Sequence, residues 1–414
     1  MVSHADVVVV GGGASGMMAA LTAAERGRSV LLLERMDQPG RKLRITGKGR
    51  CNLTNTAPLR DFLMHVGSDS RFLRNAFGRF FNEELMQFFE QRGVPLTVER
   101  GLRVFPSSGK AQDIFMALIL DLEAHSNVTI RKGCRVKRIL TAESSACGVE
   151  LENGEQIAAH SVVMATGGRS YPLTGSTGDG YAMLREVGHT IVPTVPSLVP
   201  LIIDENLPSE TVGFTLKNAT LRVCDASGRK LYEGFGELSF EEDALCGPLV
   251  LSASRVVSRL LHAGQTLTAH IDMKPAIEDK TLDKRLINDL NANGNRLLDD
   301  ALRLWMPAEM VPLFKQQLKL DYTKKLHQVS GVERRRLLQT LKGSTFTVTA
   351  TRGYEEAIVT QGGVALSEVE PKSMRSRKLS SLYIIGELLD LDADTGGYNL
   401  QIAFSTGVAA GQNC

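Results

Sequence analysis

Several things are missing from this sequence, and each absence removes a class of function. No CxxC pair occurs among its six cysteines, Cys51, Cys134, Cys147, Cys224, Cys246 and Cys414, and no histidine cluster lies beside them. That scatter points away from a disulfide framework or a structural zinc and fits a reducing compartment. No uninterrupted apolar run reaches the roughly 18 residues that a membrane-spanning helix needs. Only a polar stub, Met1 to Asp6, precedes the first strand, so the expectation is a cytoplasmic protein with no membrane partner. Neither sign of charge dominates: 48 basic against 46 acidic side chains leave a formal net charge of +2. Without a field to draw it to a polyanion, no nucleic-acid partner is expected. Nor is any long stretch poor in hydrophobes, since apolar residues make up 43% of the chain and charged ones 23%, so the whole chain is expected to fold. At 414 residues it exceeds the roughly 250 to 300 at which single cores stop growing, which implies two or three domains.

What is present begins at the N-terminus. Val7 to Val10 is a β-branched run, the pattern of a strand buried on both faces of a parallel sheet, and it stops at Gly11-Gly12-Gly13-Ala14-Ser15-Gly16. Met17 to Arg26 then reads as a helix, Gly27 as its stop, and Ser29 to Leu33 as a second buried strand ending at Glu34. The three glycines of Gly11-x-Gly13-x-x-Gly16 serve in turn a tight turn, close approach of backbone to a pyrophosphate, and close packing of helix on strand. The helix N-terminus offers free N–H groups and a positive dipole end to the phosphates. Glu34 stands where a carboxylate accepts hydrogen bonds from the ribose hydroxyls, which argues against a 2′-phosphate.

The far end of the chain decides between cofactors. Ser381 to Ile385 reads as a buried strand leading into Gly386-Glu387-Leu388-Leu389-Asp390, followed by Thr395-Gly396-Gly397-Tyr398-Asn399-Leu400-Gln401 and a helix through Gly411. This second strand, loop and helix would cover the other end of a long cofactor. Glu387 or Asp390 would hold ribityl hydroxyls, and Gly396 and Gly397 would let backbone approach a flat ring. The helix start near Asn399 and Leu400 would aim N–H groups at the flavin N1 and C2 carbonyl. Between the ends, Ser161 to Met164 is an apolar strand running into Ala165-Thr166-Gly167-Gly168, a segment similar to the one that passes the cofactor in many two-dinucleotide-fold flavoproteins.

The stretch Pro39-Gly40-Arg41-Lys42-Leu43-Arg44-Ile45-Thr46-Gly47-Lys48-Gly49-Arg50-Cys51-Asn52-Leu53-Thr54-Asn55 is more distinctive. On its residues alone, five cations spaced by glycines would neutralise a pyrophosphate or an anionic substrate, or form a solvated basic loop. Together with Ala165 to Pro172, Thr174 to Gly180 and Gly386 to Gln401, it resembles the BaiN-like, or aminoacetone-oxidase-like, FAD-binding flavoproteins, also described as NAD(P)/FAD-dependent oxidoreductases, in order over essentially the full chain.

The resemblance implies an α/β fold: a discontinuous Rossmann-type, two-dinucleotide-fold FAD domain interrupted by a β-rich, barrel-like domain and a small helical domain. It places Gly11, Gly13, Ala14, Ser15 and Gly16 on the pyrophosphate and Glu34 on the ribose. Arg41 and Lys42 would lie beside the cofactor, Val136 would present backbone to the adenine, and Ala165, Thr166 and Gly167 would line its path. Gly386, Glu387, Asp390, Gly397, Asn399, Leu400 and Gln401 would surround the ribityl and ring end, with Arg50, Cys51 and Asn52 of the basic stretch also among the contacts. Lys48 and Arg169 depart from the family pattern, where a small and a less basic residue are usual, so substrate identity does not carry over. The activities implied are reduction of a carbon–carbon double bond, as in steroid or bile-acid-like substrates, or oxidation of small amines.

The middle of the chain sets the domain expectations. Gly101 to Pro106 closes a hairpin-like segment from Val94, Ala111 to His125 reads as an amphipathic helix, and Val128 to Ile139 as one strand through Val136, third of the Rossmann half. From Pro193 short Pro-punctuated strands follow, at Pro196 to Ile203, Leu221 to Asp225 and Thr268 to Met273. Lys274 to Lys342 turns helical, and strand texture returns at Phe346 to Ala350 and Val359 to Val364. The expected division is FAD domain 1–192, β-rich insertion 193–273, helical domain 274–342, and FAD domain again 343–414. The insertion is expected to roof the flavin, with Gly236-Glu237-Leu238-Ser239-Phe240 and Gly247-Pro248-Leu249 as cleft or core residues.

A flavin carries the hydride chemistry itself. For proton transfer Cys51, Tyr171 and Tyr398 are the candidates, each also readable as a structural residue. There is no second GxGxxG in the middle of the chain, so NAD(P)H would act as a transient reductant docking against the flavin. The leading expectation is an FAD-dependent oxidoreductase on a small-molecule substrate. A flavin-dependent amine oxidase, a flavin-dependent RNA-modifying factor and a non-catalytic redox sensor are the alternatives.

Overall fold

Val7 to Val10 run through the centre of a seven-stranded sheet, between parallel neighbours on both sides, which is why the run is β-branched and fully apolar. The computed structural model describes residues 4–67 and 69–414. β1 (His4–Val10) feeds helix α1 (Ala14–Glu25), and β2 (Val30–Leu33) returns beside β1 with Val7 opposite Val30 and Val10 opposite Leu33. Gly27, in the left-handed region at φ +79, makes the turn between helix and strand. The short β3 (Thr54–Asn55), β4 (Leu96–Glu99) and β5 (Arg103–Pro106) form a separate antiparallel sheet in which β4 and β5 are the expected hairpin. Helix Ala111–Ala124 follows.

The single strand expected over Val128 to Ile139 is two. β6 (Val128–Arg131) is the third Rossmann strand, parallel to β2, but the chain then turns at Gly133, φ +66, and β7 (Val136–Ala142) belongs elsewhere. The turn is pinned to the end of β2, with Gly133 N donating to Met36 O (2.9 Å) and Cys134 N to Glu34 O (2.8 Å). β7, β8 (Ser145–Leu151) and β9 (Gln156–Met164) form an antiparallel meander, and β9 pairs parallel with β1.

The chain divides into two compact units, residues 1–196 with 357–414 and residues 197–356. In the first, β10 (Ile191–Ser197) lies beside a later strand of the same unit. In the second, β11 (Leu201–Ile203), β12 (Thr215–Cys224), β13 (Lys230–Phe240), β14 (Ala244–Cys246), β15 (Leu267–Asp272) and β16 (Ser344–Thr351) close a six-stranded barrel. The boundary expected at 343 therefore moves: β16 is not a return to the FAD domain but the strand that closes the barrel between β11 and β15. Helix Pro248–His262, unread in the sequence, buries Leu249, Val250, Ala253, Val257 and Leu261 against it, a three-and-four spacing that follows a Gly-Pro start. The helices Asp279–Ala292, Leu298–Trp305, Val311–Leu318 and Gly331–Lys342 share one core with the barrel, Leu286, Trp305, Phe314 and Leu337 clustering with Leu221, Phe240 and Phe346, so they form no separate core.

The first unit resumes with β17 (Val359–Val364), partner of β10, and β18 (Leu382–Ile384), which pairs parallel with the C-terminal half of β9. The last helix, Tyr398–Gly411, packs on α1 at two glycines one turn apart. A Cβ at Gly407 would lie 2.6 Å from the Ser15 carbonyl oxygen and one at Gly411 2.6 Å from that of Ala19, so only glycine allows this approach. Among the described residues no helix is long and apolar enough to cross a membrane.

Candidate active site

The fingerprint folds as its spacing requires. Gly11 adopts φ +106, and a Cβ there would sit 2.5 Å from the Ala165 carbonyl oxygen; one at Gly16 would sit 1.9 Å from the Gly11 carbonyl oxygen. These two close the turn and seat α1 on the strand. Gly13 differs: it is the N-cap of α1, no side chain caps the helix, and a Cβ there would meet nothing within 4 Å. Uncapped N–H groups facing open space are what a pyrophosphate needs.

At the end of β2, Glu34 is buried, 8% exposed, with Gly12 N donating to Oε2 (2.9 Å) and Met36 N to Oε1 (2.8 Å). Burial raises its pKa above the usual carboxylate value, against the pull of those two N–H groups. The turn after β6 brings Val136 to this end, where its neighbour Arg135 and the residue after Glu34, Arg35, converge on Asp179 at 2.9 and 3.0 Å. Ala165 and Thr166 pass directly under Gly11. The Thr166 hydroxyl points away from that path, toward Gly180, where a Cβ would come within 2.0 Å of it. An FAD fits this set: an open helix terminus, an acid for the ribose and a glycine-lined path.

The basic stretch 39–55 is not a solvated loop. Arg41 pairs with Asp37 (2.7 Å) and Arg50 with Glu99 while stacking over Phe105 (4.4 Å); Arg44 lies over Phe115 at 5.1 Å. Lys42 reaches Glu387 Oε2 at 2.6 Å. The other oxygen of Glu387 accepts from Ser170 Oγ and Thr360 N, both at 2.8 Å. Ser170 and Thr360, fully buried, tie the loop after β9 and β17 to the same carboxylate; Ser170 lies inside the Ala165 to Pro172 motif, and Thr360 had no signal. Both carboxylate oxygens of Glu387 thus have protein partners. Lys48 alone of the five cations is exposed with no charged or aromatic partner among the described residues, in a left-handed conformation at φ 57.

The stretch is also laced to the last helix. Thr54 Oγ1 donates to Gln401 Oε1 (2.6 Å), a Cβ at Gly397 would lie 2.3 Å from Thr54 O, and the Asn52 amide is satisfied between Thr54 O (3.3 Å) and Gly397 N (3.2 Å). Gly386 sits against α1, where a Cβ would be 2.5 Å from Ser15 Oγ. Gln401 is fully buried and the Asn399 side chain bonds Ala393 N (2.9 Å) and O (2.8 Å). The helix that begins here, Tyr398–Gly411, has no side-chain cap at its start. Asp390 N donates to Val364 O (3.1 Å), joining its segment to β17.

Two of the proton-transfer candidates hold their protons tightly. Cys51 is wholly buried and burial pushes its thiol up to about 12; burial, with Asp394 adding to it, pushes the Tyr398 phenol up to about 12 as well. Tyr171 opens a short turn in a left-handed conformation at φ 52. Beside Tyr398 stands a pair that no sequence pattern joins, His65 and Asp394, with Nδ1 and Oδ2 2.9 Å apart.

A Rossmann-type unit with this split cradle, interrupted by a closed barrel, defines an FAD-dependent oxidoreductase. The chain belongs to the family described as HI0933-like protein Rossmann domain, which matches residues 5–413. It is 32% identical over 408 residues, 98% of this chain and 97% of the relative, to the 3-dehydro-bile acid delta(4,6)-reductase of Clostridium scindens. It is 29% identical over 409 residues, 99% and 97% of the two chains, to the ribosomal RNA dihydrouridine synthase of Escherichia coli. Among solved structures it resembles quinol-fumarate reductase (TM-score 0.53, 16% identity, 99% of this chain and 70% of that one). It also resembles the 3-ketosteroid delta1-dehydrogenase of Sterolibacterium denitrificans (TM-score 0.51, 14% identity, 99% of each). These last two likenesses are of fold.

Proposed function

We propose that the protein reduces a carbon–carbon double bond conjugated to a carbonyl in a small, electron-poor substrate, with NAD(P)H as a transient reductant. The observation that carries the reading is the full-length match to a reductase named for the 4 and 6 positions of a 3-oxo bile acid. A double bond there is polarised by the carbonyl, so its β-carbon accepts hydride.

When bound, FAD supplies that hydride from N5. The chain's own part is to hold and tune. Gly13 to Gly16 and the start of α1 would hold the pyrophosphate, and Glu34 the ribose. The Lys42–Glu387 pair braces the loop that carries Ser170. The N–H groups of Asn399 and Leu400 at the uncapped helix start would stabilise negative charge at the reduced ring.

The test is anaerobic mixing with NADH and with NADPH, followed at the flavin band near about 450 nm, then addition of an enone. Bleaching by either nucleotide and recovery with the enone is the expected result. Bound flavin that neither nucleotide bleaches would favour an oxidase reduced by its own substrate. Absence of any bound flavin would remove the reading altogether.

A second reading takes uridine in RNA as the electron-poor unit, since uracil also has a double bond conjugated to a carbonyl. It is favoured by the relative named a ribosomal RNA dihydrouridine synthase and by the exposed cations Lys319, Lys325, Arg335 and Arg336 of the second unit. Recovery of the flavin band with a ribosomal RNA fragment and not with the enone would establish it.

A further inference from the structure

Reduction of a conjugated double bond needs a proton as well as a hydride, and burial makes the Cys51 thiol and the Tyr398 phenol weaker acids than usual, the thiol being wholly buried besides. His65 is placed differently. It ends helix Leu59–Met64, and its backbone is zipped to the segment before the last helix. Asp394 N donates to His65 O (2.9 Å), Val66 bridges Ala393, and Gly67 N donates to Asp392 O (3.0 Å). The imidazole is fixed on two further sides. Nδ1 meets Asp394 Oδ2 at 2.9 Å, and the ring stacks on Tyr398 with centroids 4.5 Å apart and planes at 20°.

Those partners are themselves held. Phe62 packs edge-on to Tyr398 at 4.7 Å, and the Asn399 amide clamps Ala393, the neighbour of Asp394. The side chain is nevertheless 44% exposed, and Nε2 has no hydrogen-bond partner among the described residues. A carboxylate on Nδ1 selects the Nδ1–H tautomer of the neutral ring, leaving Nε2 to exchange a proton. Tyr398 is the first residue of the helix whose start is assigned to the flavin ring.

We propose that His65, oriented by Asp394 and Tyr398, is the acid that protonates the substrate's α-carbon. The proposal rests on the reductase reading. Hydride from the reduced flavin forms a C–H bond at the β-carbon and the π electrons move toward the carbonyl, giving an enolate. The Nε2–H bond of the imidazolium then breaks, a C–H bond forms at the α-carbon, and the carbonyl is restored. The neutral imidazole regains a proton from solvent at its exposed edge, and NAD(P)H replaces the two electrons on the flavin.

The experiment uses full-length holoenzyme and 4-androstene-3,17-dione as the enone. In single turnovers, reoxidation of the flavin by the steroid should slow about 100-fold in His65→Gln, the scale of general acid catalysis, while FAD content and Tm stay at wild-type values. His65→Ala, a second variant in case the first is misfolded, should recover at least about tenfold with added imidazole. Independently of turnover, ¹⁵N NMR of the oxidised protein should show the His65 ring signals, and not those of His160, shifting when the steroid is added. A wild-type flavin that the steroid does not reoxidise overturns the reductase reading and this proposal with it. A responsive wild type beside unaffected variants, or unmoved His65 signals, overturns the proton-donor role alone.

Discussion

Lys42 and Glu387 are joined at 2.6 Å across nearly the whole chain, each a little over one-fifth exposed, with Ser170 and Thr360 completing the shell of the carboxylate. The pair fastens the glycine-rich basic stretch to the loop between β18 and the last helix.

Breaking it from one side leaves the partner half-buried and uncompensated. Glu387→Gln is expected to cost about 1–3 kcal/mol and to weaken FAD retention; Lys42→Met should do the same. Thermal unfolding and equilibrium dialysis of the flavin measure both effects. Variants as stable as wild type with flavin fully held would show the pair to be incidental.

Two glycines of one motif should respond differently. Gly16→Ala drives a methyl into the Gly11 carbonyl, so it should yield protein without flavin and with a lowered Tm. Gly13→Ala has room and an ordinary φ of −80, so the flavin-free protein should lose at most about 1 kcal/mol, the scale of an N-cap change. Its methyl enters the space given to the pyrophosphate, and FAD affinity should fall at least about tenfold, or about 1.4 kcal/mol. Equal retention of FAD by Gly13→Ala would move the phosphates elsewhere.

Cys51 should be inert. Iodoacetamide at mildly alkaline pH should label the partly exposed Cys134 and Cys147 and spare Cys51, as peptide mass mapping reads directly. Cys51→Ala should keep kcat within about threefold, because a wholly buried thiol cannot reach a substrate. A loss of a hundredfold with the fold intact would reinstate it.

Glu368 carries a pH signature. Burial would raise its pKa, yet Lys378, the Thr190 N–H and His189 outweigh it and hold the carboxyl at about 2, against an ordinary 4.5. A depressed folded-state pKa stabilises the fold above the unfolded value and is lost on acidification through the folded one. Stability should therefore fall by a few kcal/mol, on the order of 3, between about pH 4.5 and 2. Glu368→Gln should start lower at neutral pH and show a shallower acid limb in urea titrations. Parallel limbs for the two proteins would contradict this.

The parts of the fold legible in the sequence were those whose cause is local. Val7 to Val10, the spaced glycines and Glu34 announce in turn a buried parallel strand, a tight glycine turn and an acid at the end of the second strand, all within one βαβ unit. The family resemblance extended this to FAD and to a divided Rossmann domain with a barrel inside it. Where the cause was distant, the reading drifted. Nothing around Phe346 says that β16 must close a barrel begun at Leu201, and Gly133 splits a strand that apolar texture alone runs together. The Lys42–Glu387 and His65–Asp394 pairs join residues whose sequence neighbourhoods are silent about each other.

Arg26 at the end of α1 donates to the carbonyl of Gly411, 385 positions later. The first strand, the fingerprint and Glu34 leave the ribosome early, but β18 and the helix that packs on α1 emerge only after the whole barrel unit. At typical synthesis rates of roughly 5–20 residues per second, the half-built cradle must wait through many seconds of translation with the apolar face of α1 uncovered. Covering of α1 is accordingly tied to the emergence of the helix Tyr398–Gly411, and a nascent chain stalled before Tyr398 would leave that face open to chaperones.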